Sequence, residues 1–244
     1  MVFGNQKQGA IQMYPDDSLQ SLVSSWWLKE ESQAIKRGRL LKAFVPHVDQ
    51  NPMTLVPEGR KDPTSHTQVN YKLEPLQIKQ IPKPPTLPVA ALPSYPGEIR
   101  TVYRAKKRPV LVISCGGPDI PKGLKVGAAR WQTAPTLLVA PYYGATQSGT
   151  RGGWREEFVK RIRRCEYPQY LWDMLPINGS AEESILRLDH VQPIARNPDT
   201  YELTQFRMSE EAITVLDEWL SWLFTEKLSE KGVLLEVRKG LMGL

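Results

Sequence analysis

The chain has 244 residues, 41% of them hydrophobic, which is enough for one large domain or for an ordinary domain with extensions. Its formal net charge of +6 and its isoelectric point of about 9.2 favour an anionic partner, above all nucleic acid. Two cysteines and three scattered histidines exclude a disulfide framework and a structural zinc site, so we expect neither metal nor cofactor. The absence of a secretory leader pattern and of an apolar run near 18 residues predicts a cytoplasmic protein with no membrane partner.

Residues 1–75 are predicted to form an N-terminal extension of mixed or irregular structure. Apolar residues after Ser18 recur at helical spacing, which predicts a helix over residues 18–34. The Trp26-Trp27 pair in this segment has two interpretations, packing onto the main domain or docking on another protein chain. Strands are predicted further along, at residues 38–45 and 68–76.

Seven prolines from residue 75 to residue 96 predict a linker or a strap over residues 76–95. Proline is disfavoured in helix interiors and central strands, and such a run favours the extended polyproline conformation. This segment separates the extension from a main domain predicted at residues 96–228. Residues 229–244 are predicted to form a tail that adds an edge strand or binds a partner.

The main domain is predicted to begin with two strands joined by a basic loop. The alternation at residues 99–103 is typical of a strand with one core face, whereas the β-branched apolar run at residues 109–113 favours a strand buried on both sides. Cations concentrated on one loop indicate an anion-binding or phosphate-binding site. The cations of this predicted loop are Arg104, Lys106, Lys107 and Arg108.

A further buried strand is predicted at residues 136–141. The stretch that follows it is rich in hydroxyl groups, which Tyr143, Thr146 and Ser148 exemplify. The aromatic, proline-punctuated stretch at residues 167–177 is predicted to be irregular and to pack on the sheet.

Two amphipathic helices are predicted in the main domain. The cations of the first helix, at residues 151–164, are interpreted either as a solvated face or as a phosphate-contacting wall beside a nucleic-acid groove. Arg151 and Arg155 belong to this set. The second helix begins after Ser209, a typical N-cap followed by two glutamates, and is predicted to end near Leu228.

Between these helices, residues 183–191 (ESILRLDHV) alternate in the way that is typical of a strand. Side chains two residues apart on a strand share one face, which places Arg187 and Asp189 about 7 Å apart. The pair is interpreted either as a salt bridge or as part of a charged catalytic surface.

In this order, the features of residues 96–224 resemble the PemK/MazF/Kid family of toxin endoribonucleases. The matching segments are PGEIRTV, RPVLVIS, TLLVAP, ESILRLDHVQPI and MSEEAITVLDEWLSWLF. The resemblance implies an SH3-like antiparallel barrel with a C-terminal amphipathic helix, commonly as a homodimer. It also implies metal-independent cleavage of single-stranded RNA by attack of the 2′-OH on the phosphodiester, and an inhibitory antitoxin or regulatory protein partner.

The resemblance implies roles for three charged residues. Arg108 matches the arginine immediately before the proline of RPVLVIS, where it would stabilise the phosphate. Arg187 and Asp189 match the Arg-x-Asp of one branch of the family, which acts as acid and base. Because the usual pKa of arginine lies far above neutral pH, arginine is a poor acid, and we expect Arg187 to be an electrostatic stabiliser.

Family members often carry Thr or Ser shortly after the third strand, where this chain has Tyr142 and Tyr143. Thr146, in a catalytic role, and Ser148 are the candidate substitutes. The residues predicted to bind RNA are Arg104, Lys106, Lys107, Tyr143, Ser148, Arg151 and Arg155. The alternative interpretation is a catalytically inactive module that binds RNA or a protein partner within a larger assembly.

Overall fold

The computed structural model describes residues 14–60, 62–65, 67–79, 97–146, 153–177 and 182–243. These residues form antiparallel sheets with three α-helices, and none of the helices is long and apolar enough to cross a membrane. The chain divides into two compact units, one of Met1–Phe44 with Lys107–Leu244 and one of Val45–Lys106. The described part of Met1–Phe44, which the sequence assigns to the N-terminal extension, belongs to the larger unit.

The described residues contain eleven strands and three α-helices. The strands are β1 (Trp27–Lys29), β2 (Arg39–Pro46), β3 (Met53–Gly59), β4 (Asn70–Pro75), β5 (Thr101–Val102), β6 (Ala105–Ser114), β7 (Thr136–Gly144), β8 (Tyr170–Leu175), β9 (Glu182–Arg187), β10 (Gln192–Ala195) and β11 (Tyr201–Met208). The α-helices are α1 (Glu156–Arg163), α2 (Glu210–Thr225) and α3 (Val233–Met242).

The larger sheet has the strand order β1-β11-β2-β6-β7-β9-β8, with β10 also paired to β7. Within the described strands no hydrogen-bonded pairing joins β1 to β8, so backbone bonds do not close this sheet into a barrel. The mainly antiparallel β+α class is therefore confirmed, while the SH3-like barrel stays a prediction. In the smaller unit, the strands β4, β3 and β5 form a three-stranded sheet in that order.

The core of the larger unit lies between the sheet and α2. Val110, Leu111 and Val112 of β6 are fully buried, as the apolar run in the sequence predicts. Helix α2 contributes a stripe that includes Leu216 and Trp219, both at most 1% exposed. Complete burial of such side chains stabilises a fold by about 1.5–3 kcal/mol each. The indole N–H of Trp219 also donates to the Pro168 carbonyl at 2.8 Å, so burial leaves no unpaired donor there.

The predicted helix over residues 18–34 is wrong. The segment instead forms a short 3₁₀ turn at Leu19–Leu22 and then strand β1, which pairs with β11. Trp26 is 2% exposed and packs in the core, as one of its two interpretations predicted. Strand pairing and burial of Trp26 outweigh the helical spacing because local propensity is worth only tenths of a kcal/mol per residue.

The predicted basic hairpin is also wrong. Strand β5 pairs with β3, and β6 already begins at Ala105, so Lys106, Lys107 and Arg108 lie within a strand. Arg104 lies in the short connection between β5 and β6. Backbone pairing does not depend on side-chain charge, and long cationic side chains remain solvated beside a sheet.

Two further segments differ from their predicted structures, and a third lies mostly outside the described residues. The stretch at residues 167–177 contains β8, whose Leu171, Trp172 and Asp173 are buried. The predicted strand at residues 183–191 ends at Arg187, and a 3₁₀ turn follows before β10. Most of the proline-rich segment, residues 80–95, lies outside the described residues.

The predicted edge strand in the C-terminal tail is instead helix α3. The Glu218 carboxylate of α2 accepts hydrogen bonds from the backbone N–H groups of Val233 (3.1 Å) and Leu234 (2.8 Å). A carboxylate at this position satisfies free N–H groups and complements the helix dipole. The residues of this long-range contact are 15 or more positions apart, so local sequence reasoning does not detect it.

The predicted start of α2 is confirmed. The Ser209 hydroxyl accepts a hydrogen bond from the Ala212 N–H at 3.0 Å, and Glu210 and Glu211 occupy the first turn. The helix ends after Thr225, a few residues before the predicted end.

Replacing Ser209 by alanine is expected to lower the free energy of unfolding by about 1 kcal/mol, because the buried Ala212 N–H would lose its partner. Denaturant unfolding of Ser209→Ala measures this change. Ser221→Ala on the exposed face of the same helix is the matched control, with an expected change within about 0.5 kcal/mol. Equal stability of the two variants would contradict the role of the cap.

Candidate active site

Five polar side chains converge at the edge shared by β6, β7 and β9. They come from all three strands and from the 3₁₀ turn that follows β9: Arg108, Tyr143, Arg187, Asp189 and His190. We call this set the Arg–Tyr–His cluster. Val110 pairs with Pro141, so the antiparallel register carries Arg108 opposite Tyr143. Tyr143 pairs with Ile185, which places Arg187 two residues further along on the same face.

Arg108 lies on the face of the Tyr143 ring. Its guanidinium carbon is 4.0 Å from the ring centroid, well within the range of a cation–π contact. Such contacts are worth about 0.5–2 kcal/mol, depending on how far the pair is removed from water. The contact holds the cation at the edge of the cluster, where β6 alone would leave a long side chain mobile.

Arg187 and Asp189 form a bidentate ion pair. Arg187 Nε donates to Asp189 Oδ1 at 2.7 Å and Nη2 donates to Oδ2 at 2.6 Å. Burial acts to lower the pKa of Arg187, but the hydrogen bonds and charge of Asp189, with Tyr170 and Tyr143, raise it overall. The guanidinium therefore stays a cation, and the salt-bridge interpretation of this pair holds in the structure.

His190 joins Arg187 to Tyr143. The side chain is buried, its Nε2 lies 2.5 Å from Arg187 Nη2, and its Nδ1 lies 3.2 Å from Tyr143 Oη. A guanidinium only donates, so Nε2 accepts and the imidazole is neutral with its proton on Nδ1. That proton is then donated to the oxygen of Tyr143.

Half-buried aromatic side chains surround the Arg187 side of the cluster. The Arg187 guanidinium carbon lies 5.1 Å from the Tyr170 ring centroid and 5.9 Å from that of Trp154. Trp154 stacks on Phe158, with centroids 5.5 Å apart and ring planes 11° apart. These rings exclude water from one side of the Arg187–Asp189 pair, which strengthens its electrostatic interaction.

The structure brings together four of the residues predicted from the sequence, namely Arg108, Tyr143, Arg187 and Asp189. Thr146 is exposed two residues after β7, and none of the described contacts within the cluster involves it. Ser148 and Arg151 lie outside the described residues. The other predicted RNA-binding residues are exposed: Arg104, Lys106, Lys107 and Arg155.

Several cations of the candidate RNA-binding surface are paired with carboxylates. Lys107 on β6 bonds to Glu202, and Lys160 on α1 contacts Glu156 at 2.9 Å. Arg163 on α1 contacts Asp17 at 2.8 Å. For this helix, the contacts favour the interpretation of a solvated, packed face.

His190 was not predicted from the sequence. On a continuous strand it would face away from Arg187, because side chains three positions apart lie on opposite faces. The 3₁₀ turn at Leu188–His190 reverses that arrangement and brings the imidazole onto Arg187. The alternation of residues 183–191 continues past Arg187, so the sequence gives no signal of this turn.

A second polar group, the Asp173 carboxylate of β8, is fully buried on the other side of the sheet strands that carry the cluster. The N-terminal segment and β7 supply side-chain hydrogen-bond donors to this carboxylate. The backbone amide of Met174 is a further donor. The donors are Tyr14 Oη at 3.2 Å, Trp26 Nε1 at 3.3 Å, Trp27 Nε1 at 3.4 Å, Tyr142 Oη at 3.1 Å and the Met174 N–H at 2.8 Å. Burial raises the pKa of Asp173 to about 7, against these hydrogen bonds, most of which lower it.

Within the described part of the chain, no three His, Cys, Asp or Glu side chains are grouped so that they could hold a metal ion. No model of a known protein family matches the chain, and no curated protein sequence or solved structure shows significant similarity to it.

The raised pKa of Asp173 predicts a pH-dependent contribution to stability. Between the unfolded value of about 4 and the folded value of about 7, the native state binds more protons than the unfolded state. The contribution of this group to the free energy of unfolding therefore falls as the pH rises through that window and is constant above it. The fall is on the order of 4 kcal/mol.

Comparison of the wild type with Asp173→Asn isolates this contribution, because other carboxylates titrate equally in both proteins. The difference in free energy of unfolding, wild type minus variant, is expected to decrease between about pH 4 and pH 7 in denaturant titrations. A difference that is constant or increases over this range would contradict the assignment.

Proposed function

We propose that this chain is a metal-independent endoribonuclease of the toxin type that cleaves single-stranded RNA. The observation that supports this proposal most is the convergence of Arg108, Arg187 and Asp189 with Tyr143 where β6, β7 and the end of β9 meet. The sequence resemblance implies a phosphate-stabilising role for Arg108 and an acid–base role for the Arg187 and Asp189 pair. The proposal includes the finer fold that the resemblance implies, an SH3-like barrel with α2 as its C-terminal helix.

The reaction needs three functions from the protein. A base removes the proton of the 2′-OH, an acid protonates the departing 5′-oxygen, and cations stabilise the negative charge on the phosphorane. Asp189 is the carboxylate of the cluster and is the proposed base. The guanidinium groups of Arg108 and Arg187 supply two positive charges, and their contacts with Tyr143 and Asp189 hold them in place before the substrate binds.

The proposed biological setting follows the same resemblance. The chain would act in the cytoplasm as a homodimer, and an inhibitory antitoxin or regulatory protein would hold it in check. Its net charge of +6 favours association with RNA, and the exposed Arg104, Lys106 and Arg155 are candidate contacts to the RNA backbone.

A second candidate function is an RNA-binding module that does not cleave. The observation that favours it is the closed Arg187–Asp189 pair, in which both carboxylate oxygens accept hydrogen bonds from one guanidinium. Each oxygen then has only its remaining lone pair with which to accept the proton of the 2′-OH. The paired cations Lys160 and Arg163 on α1 also reduce the charge available to bind phosphates.

Incubation of the purified chain with single-stranded RNA of mixed sequence, in the presence of a chelator, tests the first function. We expect fragments with 2′,3′-cyclic phosphate and 5′-hydroxyl ends. Arg108→Ala is expected to cleave about 100-fold or more slowly, because it removes a preorganised charge from the transition state. Arg37→Ala, which removes a half-buried cation paired with Asp217 outside the cluster, is the control with the same change of net charge and is expected to keep full activity.

The same incubation of purified protein with RNA distinguishes the two candidate functions. Intact RNA at high protein concentration, together with RNA binding that weakens steeply with salt, would contradict the nuclease and support the binding module. Unchanged cleavage by Arg108→Ala would contradict the proposed site while leaving the nuclease activity established.

A further inference from the structure

The Arg–Tyr–His cluster contains a row of hydrogen bonds that runs from Arg187 through His190 to Tyr143. The reaction proposed above assigns no chemical step to His190 or Tyr143. Arg187 Nη2 donates to His190 Nε2, and His190 Nδ1 donates to the hydroxyl oxygen of Tyr143. The rings of His190 and Tyr143 are also in edge-to-face contact, with centroids 5.8 Å apart and planes at 83°. The imidazole is buried, so this geometry is fixed by packing as well as by hydrogen bonds.

The row determines the direction of the phenolic proton. Because Arg187 holds His190 in the Nδ1–H form, the tyrosine oxygen accepts from the imidazole and cannot also donate to it. The O–H of Tyr143 is therefore directed away from His190. The half-buried ring of Tyr143 presents this group on the face of the sheet that carries Arg108 and Arg187.

The cluster also contains groups that would stabilise Tyr143 in its deprotonated form, a phenolate. The Arg108 guanidinium carbon lies 4.0 Å from the Tyr143 ring centroid, and that of Arg187 lies at 5.8 Å. Two cations and the Nδ1–H of His190 would stabilise the negative charge left when the proton departs. An isolated structural tyrosine requires none of these three contacts.

These contacts suit Tyr143 to the role of the acid in the proposed reaction. Arg187 is a cation fixed by Asp189, and the ordinary pKa of a guanidinium lies well above that of a phenol, which is about 10. Tyrosine is thus the better proton donor of the two at neutral pH. It also stands where the resembling family carries the smaller hydroxyl residues Thr or Ser.

We propose that Tyr143 is the general acid that protonates the departing 5′-oxygen, and that His190 is a positioning residue that orients the Tyr143 hydroxyl. This inference rests on the proposed ribonuclease function. His190 does not exchange a proton with the substrate.

The step balances as follows. The 2′-OH proton passes to Asp189 as the 2′-oxygen bonds to phosphorus. The bond from phosphorus to the 5′-oxygen breaks, its electron pair stays on that oxygen, and the Tyr143 proton completes the new hydroxyl. Tyr143 is left as a phenolate and Asp189 as a carboxylic acid, and proton exchange with water restores both groups.

Cleavage of two matched RNA substrates by Tyr143→Phe tests the inference. One is an oligoribonucleotide of mixed sequence with natural linkages, and the other carries sulfur in place of each bridging 5′-oxygen. A thiolate departs without protonation, since the ordinary pKa of a thiol is only about 8.5. We expect the variant to lose about 100-fold or more on the natural substrate and less than about tenfold on the sulfur substrate.

The role of His190 has its own readout. His190→Leu is expected to show the same selective loss on the natural substrate, by about tenfold, because the hydroxyl is no longer oriented. His190→Asn, which places an N–H near the position of Nδ1, is expected to recover part of this loss. Tyr201→Phe, on β11 and outside the cluster, is the matched control and should cleave both substrates as the wild type does. Circular dichroism and unfolding midpoints verify that each variant is folded.

Three results would overturn the inference. Equal losses of Tyr143→Phe on both substrates would show that the hydroxyl only binds, and wild-type rates on both would show that it has no role. Wild-type protein that cleaves neither substrate would remove the proposed function itself, and the inference with it. Because Tyr143→Phe retains the ring, the outcome does not depend on whether His190→Leu folds.

Discussion

The buried carboxylate of Asp173 is the constraint on which most of the larger unit depends. Removal of a charged carboxylate from water costs several kcal/mol unless its oxygens receive hydrogen bonds or a proton. The chain meets that requirement with donors from the N-terminal segment, from β7 and from the next backbone amide. Trp26 therefore lies in the core, and Tyr14 and Trp27 pack against it, although the sequence places them far from β8. Gln20, which is also buried, reinforces this attachment by bonding to the Trp172 carbonyl.

The electrostatics of the Arg–Tyr–His cluster differ from those of the buried Asp173 carboxylate, because cations outnumber carboxylates in the cluster. Both guanidinium groups lie near the ring of Tyr143, and the carboxylate of Asp189 pairs with that of Arg187. Two guanidinium groups in a half-buried place favour an anionic ligand such as a phosphodiester. The neutral His190 adds direction to the cluster without adding charge.

Sequence reasoning succeeded where a structural signal was local. The cap at Ser209 located α2, and the apolar runs located β2, β6 and β7, because these patterns need no distant partner. It failed where a distant contact decides the structure. Pairing with β11 made β1 a strand, and Glu218 made α3 a helix. For the site, charges at recognisable spacing identified Arg187 and Asp189, whereas His190 depends on a turn that alternation does not reveal.

Consecutive tyrosines on β7 connect the two polar groups. Tyr142 faces inward and donates to Asp173, while Tyr143 faces the opposite way and contacts Arg108 and His190. The anchor of the N-terminal segment and the group proposed to react are thus separated by one peptide bond. A shift of one residue in the register of β7 would move each tyrosine to the opposite face of the sheet. An insertion or deletion in β7 before these tyrosines would consequently disrupt both the hydrogen bonds of Asp173 and the proposed chemistry in a single event.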